Sequence, residues 1–327
     1  MECIATTIIR HTPFGRPVSG RIFHVDLANG AVLREKAVPP PLHPLSDDNP
    51  RGGARGGRGA AVRDGRTYIA NYDSIFVYDK RLKPLRRITN PLFAGLHEIE
   101  VVKDGIWVAS TWLDLLLKVD FEGRPIFRWY YRDAKDLLKK LKWDISPVID
   151  FQNDYRKDLK GGISVLKQAH INSVRLYKGS EVVVTFGQRA NQNGDGRQRP
   201  GADKASWGYV VMLNTKTGGC RLIYKKRLSF PMHNGQMLSE RFLLLNDSHR
   251  MENLLIDIKT KRIEKRTKVP GTWLRGLAVC GRRKIIVGSA PAGIYEIDLE
   301  KSRVVRFMLL SKNPNEAIHG LCMVKPR

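Results

Sequence analysis

Acidic residues are scarce in this chain. It has 32 Asp and Glu against 57 Lys and Arg over 327 residues, a formal charge of +25. Long apolar runs are lacking too: no window approaches the roughly 18 consecutive apolar residues of a membrane-crossing helix. The first residues, MECIATTIIRHTPFG, show no basic segment leading into an apolar stretch, so no secretory signal is read there and a cytoplasmic location is expected. The four cysteines (Cys3, Cys220, Cys280 and Cys322) show no CxxC spacing. That argues against a cysteine-based zinc site and for reduced thiols. Zinc-finger, helix-turn-helix and aromatic ribonucleoprotein motifs are absent as well, so no specific nucleic-acid recognition is expected. Intrinsic disorder is excluded by a 42% hydrophobic content, enough for a sizeable core. The basic excess runs along the whole chain rather than in a tail. It fits a solvated surface or attraction of anionic partners.

What is present is a repeat. Six segments read as an alternating strand, an Asp or Asn, a tight turn and a second strand: RIFHVDLANGAVLRE, SIFVYDKRLKPLRRI, LLLKVDFEGRPIFRW, YVVMLNTKTGGCRLI, NLLIDIKTKRIEKRT and GIYEIDLEKSRVVRF. The acids and amide at these turns (Asp26, Asp79, Asp120, Asn214, Asp257 and Asp298) are read as structural.

A second repeated strand pair has copies starting at Arg58, His97, His170, His233, Arg275 and His319. The last copy runs out at the C-terminus, and the hairpin it needs is the orphan at residues 20–36. Six four-stranded units, one shared between the two ends, predict an all-β fold: a six-bladed β-propeller closed by strands from both termini. Most intervals between copies are close to the about 40–45 residues of one blade. The longer ones carry insertions at 131–166, with a short amphipathic helix expected in RDAKDLLKKLKWDI, and at 187–207. Residues 37–57 form a Pro- and Gly-rich crossing. The chain is read as a single domain over 1–327.

The first strand of each blade lines the central channel. The repeat therefore aligns Arg58, His97, His170, His233, Arg275 and His319 as one ring of histidine and arginine. Two chemistries fit such a ring. In the first, four imidazoles (His97, His170, His233 and His319) hold a divalent transition metal for an oxygenase or lyase reaction. In the second, guanidinium and imidazole groups bind an oxyanion while one histidine acts as nucleophile or base. Two permanent positive charges count against the metal, so the oxyanion is preferred and no cofactor is expected. The substrate is then a small anionic or aromatic molecule. Trp112 and Trp273 lie near ring motifs and are candidates to wall its pocket. A propeller that binds a partner without catalysis is the remaining alternative.

Three of these motifs resemble those of bacterial arylsulfotransferases, six-bladed propellers that move a sulfuryl group between phenols. They are His170-Ile-Asn172 with the strand VVVTF, Phe230-Pro-Met-His233 with RFLLLNDS, and His97 in LHEIEVVKDGIWVAS. The resemblance implies that His233 takes up the sulfuryl group. It implies that His97, His170 and Asn172 hold sulfate oxygens and handle the phenolic proton, and that Arg189 is the nearest counterpart of the family's arginine. A bell-shaped pH profile is expected, with one histidine neutral and another protonated.

Overall fold

The computed structural model describes residues 1–12, 18–43, 56–141, 149–157, 169–188, 206–228 and 232–324. Six four-stranded antiparallel sheets stand in a ring, so the fold is a six-bladed β-propeller. Blade one holds Ala60–Arg63, Arg66–Ala70, Ser74–Tyr78 and Pro84–Thr89. Blade two holds Leu96–Val102, Gly105–Ser110, Leu115–Val119 and Pro125–Tyr130, and blade three Ile171–Lys178, Glu181–Gln188, Ser206–Asn214 and Cys220–Leu228. Blade four runs from His233–Met237 through Phe242–Asp247 and Glu252–Asp257 to Arg262–Lys268, and blade five from Thr272–Val279 through Lys284–Ala290 and Gly293–Asp298 to Arg303–Leu309.

The sixth blade is shared as the repeat predicts. Its innermost strand, Glu316–Val324, pairs with Glu2–Ile9 from the other end of the chain, followed by Arg21–Asp26 and Ala31–Ala37. The N-terminal strand supplies a third member that the hairpin count left out.

Burial explains the sequence pattern. Middle strands such as Ser74–Tyr78 and Gly105–Ser110 are buried at every position, because a neighbouring blade covers each face. The outermost strands alternate instead, as in Arg303–Leu309, where one side meets solvent. Each outer turn is held by the same device. The side-chain oxygen of Asp26, Asp79, Asp120, Asn214, Asp257 or Asp298 accepts a backbone N–H two residues on, at 2.8–2.9 Å. The helix expected in the 131–166 insertion is Lys135–Leu141, which buries Leu137, Leu138 and Leu141. No helix among the described residues is long and apolar enough to cross a membrane.

Candidate functional site

Each inner strand enters the fold with a slip in its pairing. The register shifts between Leu96 and Ile99, Ile171 and Ser173, His233 and Gln236, Arg275 and Leu277, and around Thr6/Thr7 opposite Ile318 and Gly320. In blade one, Arg58 N–H donates to Ala70 and Ala70 N–H donates to Gly59, so two residues face one there as well. Such a bulge re-aims the side chain it carries. Here it falls on His97, Asn172 and His319, takes in Arg58, and begins directly after His233 and Arg275.

The third blade thus departs from the repeat as read in the sequence. Asn172 holds the ring position, and His170 lies two residues ahead of it. Among the described residues that earlier position is left-handed in four blades, at Gly56 (φ +44°), Gly95 (φ +60°), His170 (φ +53°) and Trp273 (φ +57°). Glycine suits it, and a histidine there is strained by about 1–2 kcal/mol. The surroundings enforce the strain. Asp114 accepts the N–H groups of Ala169 (2.6 Å) and Ile171 (3.2 Å), one on either side of His170, and the Thr111 hydroxyl donates to Ile171 O.

His170 still reaches the ring. Its imidazole lies 5.1 Å from that of His97 and 6.4 Å from that of His233, and His319 is 6.2 Å from His97, centroid to centroid. All three pairs meet nearly edge to face. Ligating nitrogens of His97, His170 and His233 lie within 4.8 Å of one another, and all three residues are buried; His319 stands outside that trio. Arg58 and Arg275 are 3% and 8% exposed. Burial holds the His97 imidazole well below its usual pKa, reinforced by Arg58, His170, Arg275 and His319. His319 is depressed in the same way, by burial, then Arg275, Arg58, His233 and Arg10. Both are therefore neutral at pH 7. The protonated partner on which a bell-shaped profile depends is supplied by neither, since burial and then the neighbouring guanidiniums disfavour the charged form.

His233 is held by Ser248. Its Nδ1 lies 2.8 Å from Ser248 Oγ, and that hydroxyl lies 2.6 Å from Leu274 O. Asn172 does not aim its amide at the ring centre alone: Nδ2 donates to Met232 O, just ahead of His233. Trp112 is half-buried, packed with Tyr72 at 6.1 Å over Gly95, where a Cβ would lie 1.4 Å from the indole. Trp273 is half-buried beneath the Arg10 guanidinium, 4.4 Å from its ring. Arg189 lies outside the described residues.

Next along the inner strands from the ring lies a buried polar network. Arg175 donates to Glu98 Oε1, to Glu100 Oε2 (3.1 Å) and to Ile99 O (3.3 Å), and Asn234 donates to the same Glu98 oxygen at 3.2 Å. Asn246 continues the chain to Asn234, and Asn253 to Asn246. A cavity of about 730 Å³ opens at the far ends of the inner strands, with no ring histidine in its lining; Ala61, Glu100, Arg175, Gln236, Leu277 and Cys322 are among its lining residues. Arg10, Ser248, Asp114 and the Glu98–Arg175 pair escaped the sequence reading. Of these, Ser248 falls in the quoted motif RFLLLNDS and Glu98 in LHEIEVVKDGIWVAS, where neither was assigned a role.

No protein-family profile matches the chain, and no curated protein matches it in sequence. Its fold is shared with solved structures. A protein of unknown function from Bacteroides caccae superposes with a TM-score of 0.55 at 11% identity, covering 97% of this chain and 98% of that one. A chain of a nidogen/laminin complex gives 0.57 at 10% identity, covering 98% of each. At such identities the likeness is one of fold alone.

Proposed function

We propose that the ring binds a sulfuryl or phosphoryl ester and that His233 accepts the transferred group, the acceptor being a phenol or similar hydroxyl. The observation that carries this reading is the burial of two guanidiniums, Arg58 and Arg275 at 3% and 8% exposure, at the ring where the imidazoles of His97, His170, His233 and His319 meet, both arginines acting on His97 and His319. A pore whose histidines are kept neutral by burial and that carries two guanidiniums besides attracts an anion and resists a dication.

In the transfer step the His233 Nε2 lone pair attacks sulfur, the bond from sulfur to the aryl oxygen breaks, and phenolate leaves with that electron pair. The guanidiniums stabilise charge on the departing oxygen and on the equatorial oxygens. In the return step an acceptor phenol attacks sulfur as its proton passes by way of neutral His97 or His319 to solvent, and the N–S bond returns its electrons to Nε2. With no imidazolium required at the start, activity rises through a single acidic limb and then holds level over neutral pH.

The test is release of 4-nitrophenolate from 4-nitrophenyl sulfate and 4-nitrophenyl phosphate with phenol as acceptor, with mass analysis of the peptide carrying His233. Turnover with a sulfuryl or phosphoryl adduct, both lost in His233→Ala, supports the reading. A fully folded protein that neither binds sulfate or phosphate nor turns over either ester refutes it.

A second reading has its own support in the close His97–His170–His233 trio, which suits a divalent transition metal bound through three imidazoles. Near-stoichiometric metal in the purified protein, lost in His170→Ala, would favour it over anion transfer.

A further inference from the structure

Ser248 has a single hydroxyl proton and two close neighbours that both have lone pairs to offer. Leu274 O, at 2.6 Å, is a carbonyl and can only accept. The hydroxyl proton is therefore directed to it, and Ser248 Oγ must accept from His233 Nδ1 at 2.8 Å. A neutral imidazole carries one N–H. Both residues are buried, His233 at 4% and Ser248 at 2% exposure, so water does not compete for these bonds. Leu274 is itself fixed, fully buried and immediately ahead of Arg275.

From this relay we infer that Ser248 is a positioning residue that locks His233 in its Nδ1–H form and presents Nε2, with its lone pair, to the ring. The relay orients one imidazole and ties it to the backbone that carries Arg275, so nucleophile and guanidinium are set from one point. As an account of catalysis it rests on the transfer reading above. The tautomer itself stands apart from that reading.

Full-length protein with ¹⁵N-labelled histidine, examined by two-bond ¹H–¹⁵N correlation at neutral pH and assigned with His233→Gln, tests it. In the wild type His233 should show a protonated, pyrrole-type Nδ1 and a pyridine-type Nε2. In Ser248→Ala the ratio of tautomers should move about tenfold toward Nε2–H, and Ser248→Thr should restore it. If transfer is observed, Ser248→Ala should lower kcat with KM little changed. A wild-type His233 protonated at Nε2, or a Ser248→Ala protein that keeps the Nδ1–H pattern, overturns the inference. The wild-type spectrum decides even if the variant does not fold. Should the tautomer follow Ser248 while no ester is bound or turned over, the inference stands and the transfer function falls.

Discussion

Arg175 of the third blade grips Glu98 of the second, and this buried pair is the floor of the histidine ring. The side chains are 10% and 6% exposed. Glu98 faces two opposing influences: burial raises its pKa, while Arg175 and Asn234 lower it. Glu100 shares the guanidinium from the side of the large cavity. One cation thus holds two carboxylates, one buried beside His97 and one at the edge of the 730 Å³ cavity.

Removing that cation should be costly. Arg175→Met leaves Glu98 buried without its counter-charge, and a loss of about 3–5 kcal/mol in unfolding free energy is expected. Glu98→Gln keeps an acceptor for Asn234 and leaves Glu100 on Arg175, so it should lose less. The deficit of Arg175→Met should also shrink as pH falls, because the orphaned carboxyl, its pKa raised, takes a proton more readily in the folded state than in the unfolded one. Urea unfolding at two pH values checks both points; equal losses for the two variants would contradict the first.

The left-handed backbone at His170 sets stability against function. Replacing His170 by glycine relieves the φ of +53° and should raise stability by up to about 1 kcal/mol, while His170→Ala keeps the strain and gains nothing. Both variants lose the imidazole that lies 5.1 Å from His97. Binding of sulfate, followed calorimetrically, should therefore weaken equally in the two, although their melting temperatures move apart. The same position in blade two tolerates no such exchange. Gly95→Ala would drive a methyl into Trp112 and should destabilise strongly.

His97 and His319 link stability to pH. Each has a folded pKa well below the 6.5 of a free imidazole. Above pH 6.5 both folded and unfolded forms are neutral and the stability is fully present. Below it the unfolded chain takes up protons that the folded ring refuses, so stability falls with acidification by up to about 1.4 kcal/mol per pH unit for each residue. Unfolding free energies measured between pH 7 and pH 5 should show this slope. His97→Gln and His319→Gln should each remove a share of it; an unchanged slope in the double variant would contradict the assignment.

The sequence made the architecture legible because each blade repeats two local devices, an alternating strand and an Asx turn, and both are written in neighbouring residues. Asp79 and Asp298 announce themselves by position alone. The ring was readable only in part. Arg58, His97, His233, Arg275 and His319 stand at equivalent places on the inner strands, as the repeat implied, but aligning His170 with them followed residue type rather than backbone register. The slip between Ile171 and Ser173 is a property of strand pairing, and no local pattern records it. Arg10 and Ser248 were hidden for a different reason. Arg10 comes to Trp273 and His319 from the far end of the chain. Ser248 matters through a contact with Leu274 in the next blade, and neither relation has a periodicity to betray it.

Closure of the ring depends on Glu316 more than on any other polar side chain of the sixth blade. It is fully buried and accepts from Thr7 Oγ1 and from the Nε (3.0 Å) and Nη2 of Arg21. The C-terminal strand is thereby fixed to the first two strands of the chain by side chains as well as by its ladder. Arg21 also holds Glu35 at 2.9 Å and Ser311 at 2.8 Å, so its loss reaches the outer strand too. Glu316→Ala should cost about 2–4 kcal/mol, below the loss for a wholly buried pair because Arg21 keeps a quarter of its side chain in solvent. Hydrogen exchange should localise the damage. Amides of Glu2–Ile9 and Glu316–Val324 should lose protection first, while those of blades two to four hold theirs. Uniform loss across the propeller would mean that closure and global unfolding are one event, and that the termini are not the weak seam of the ring.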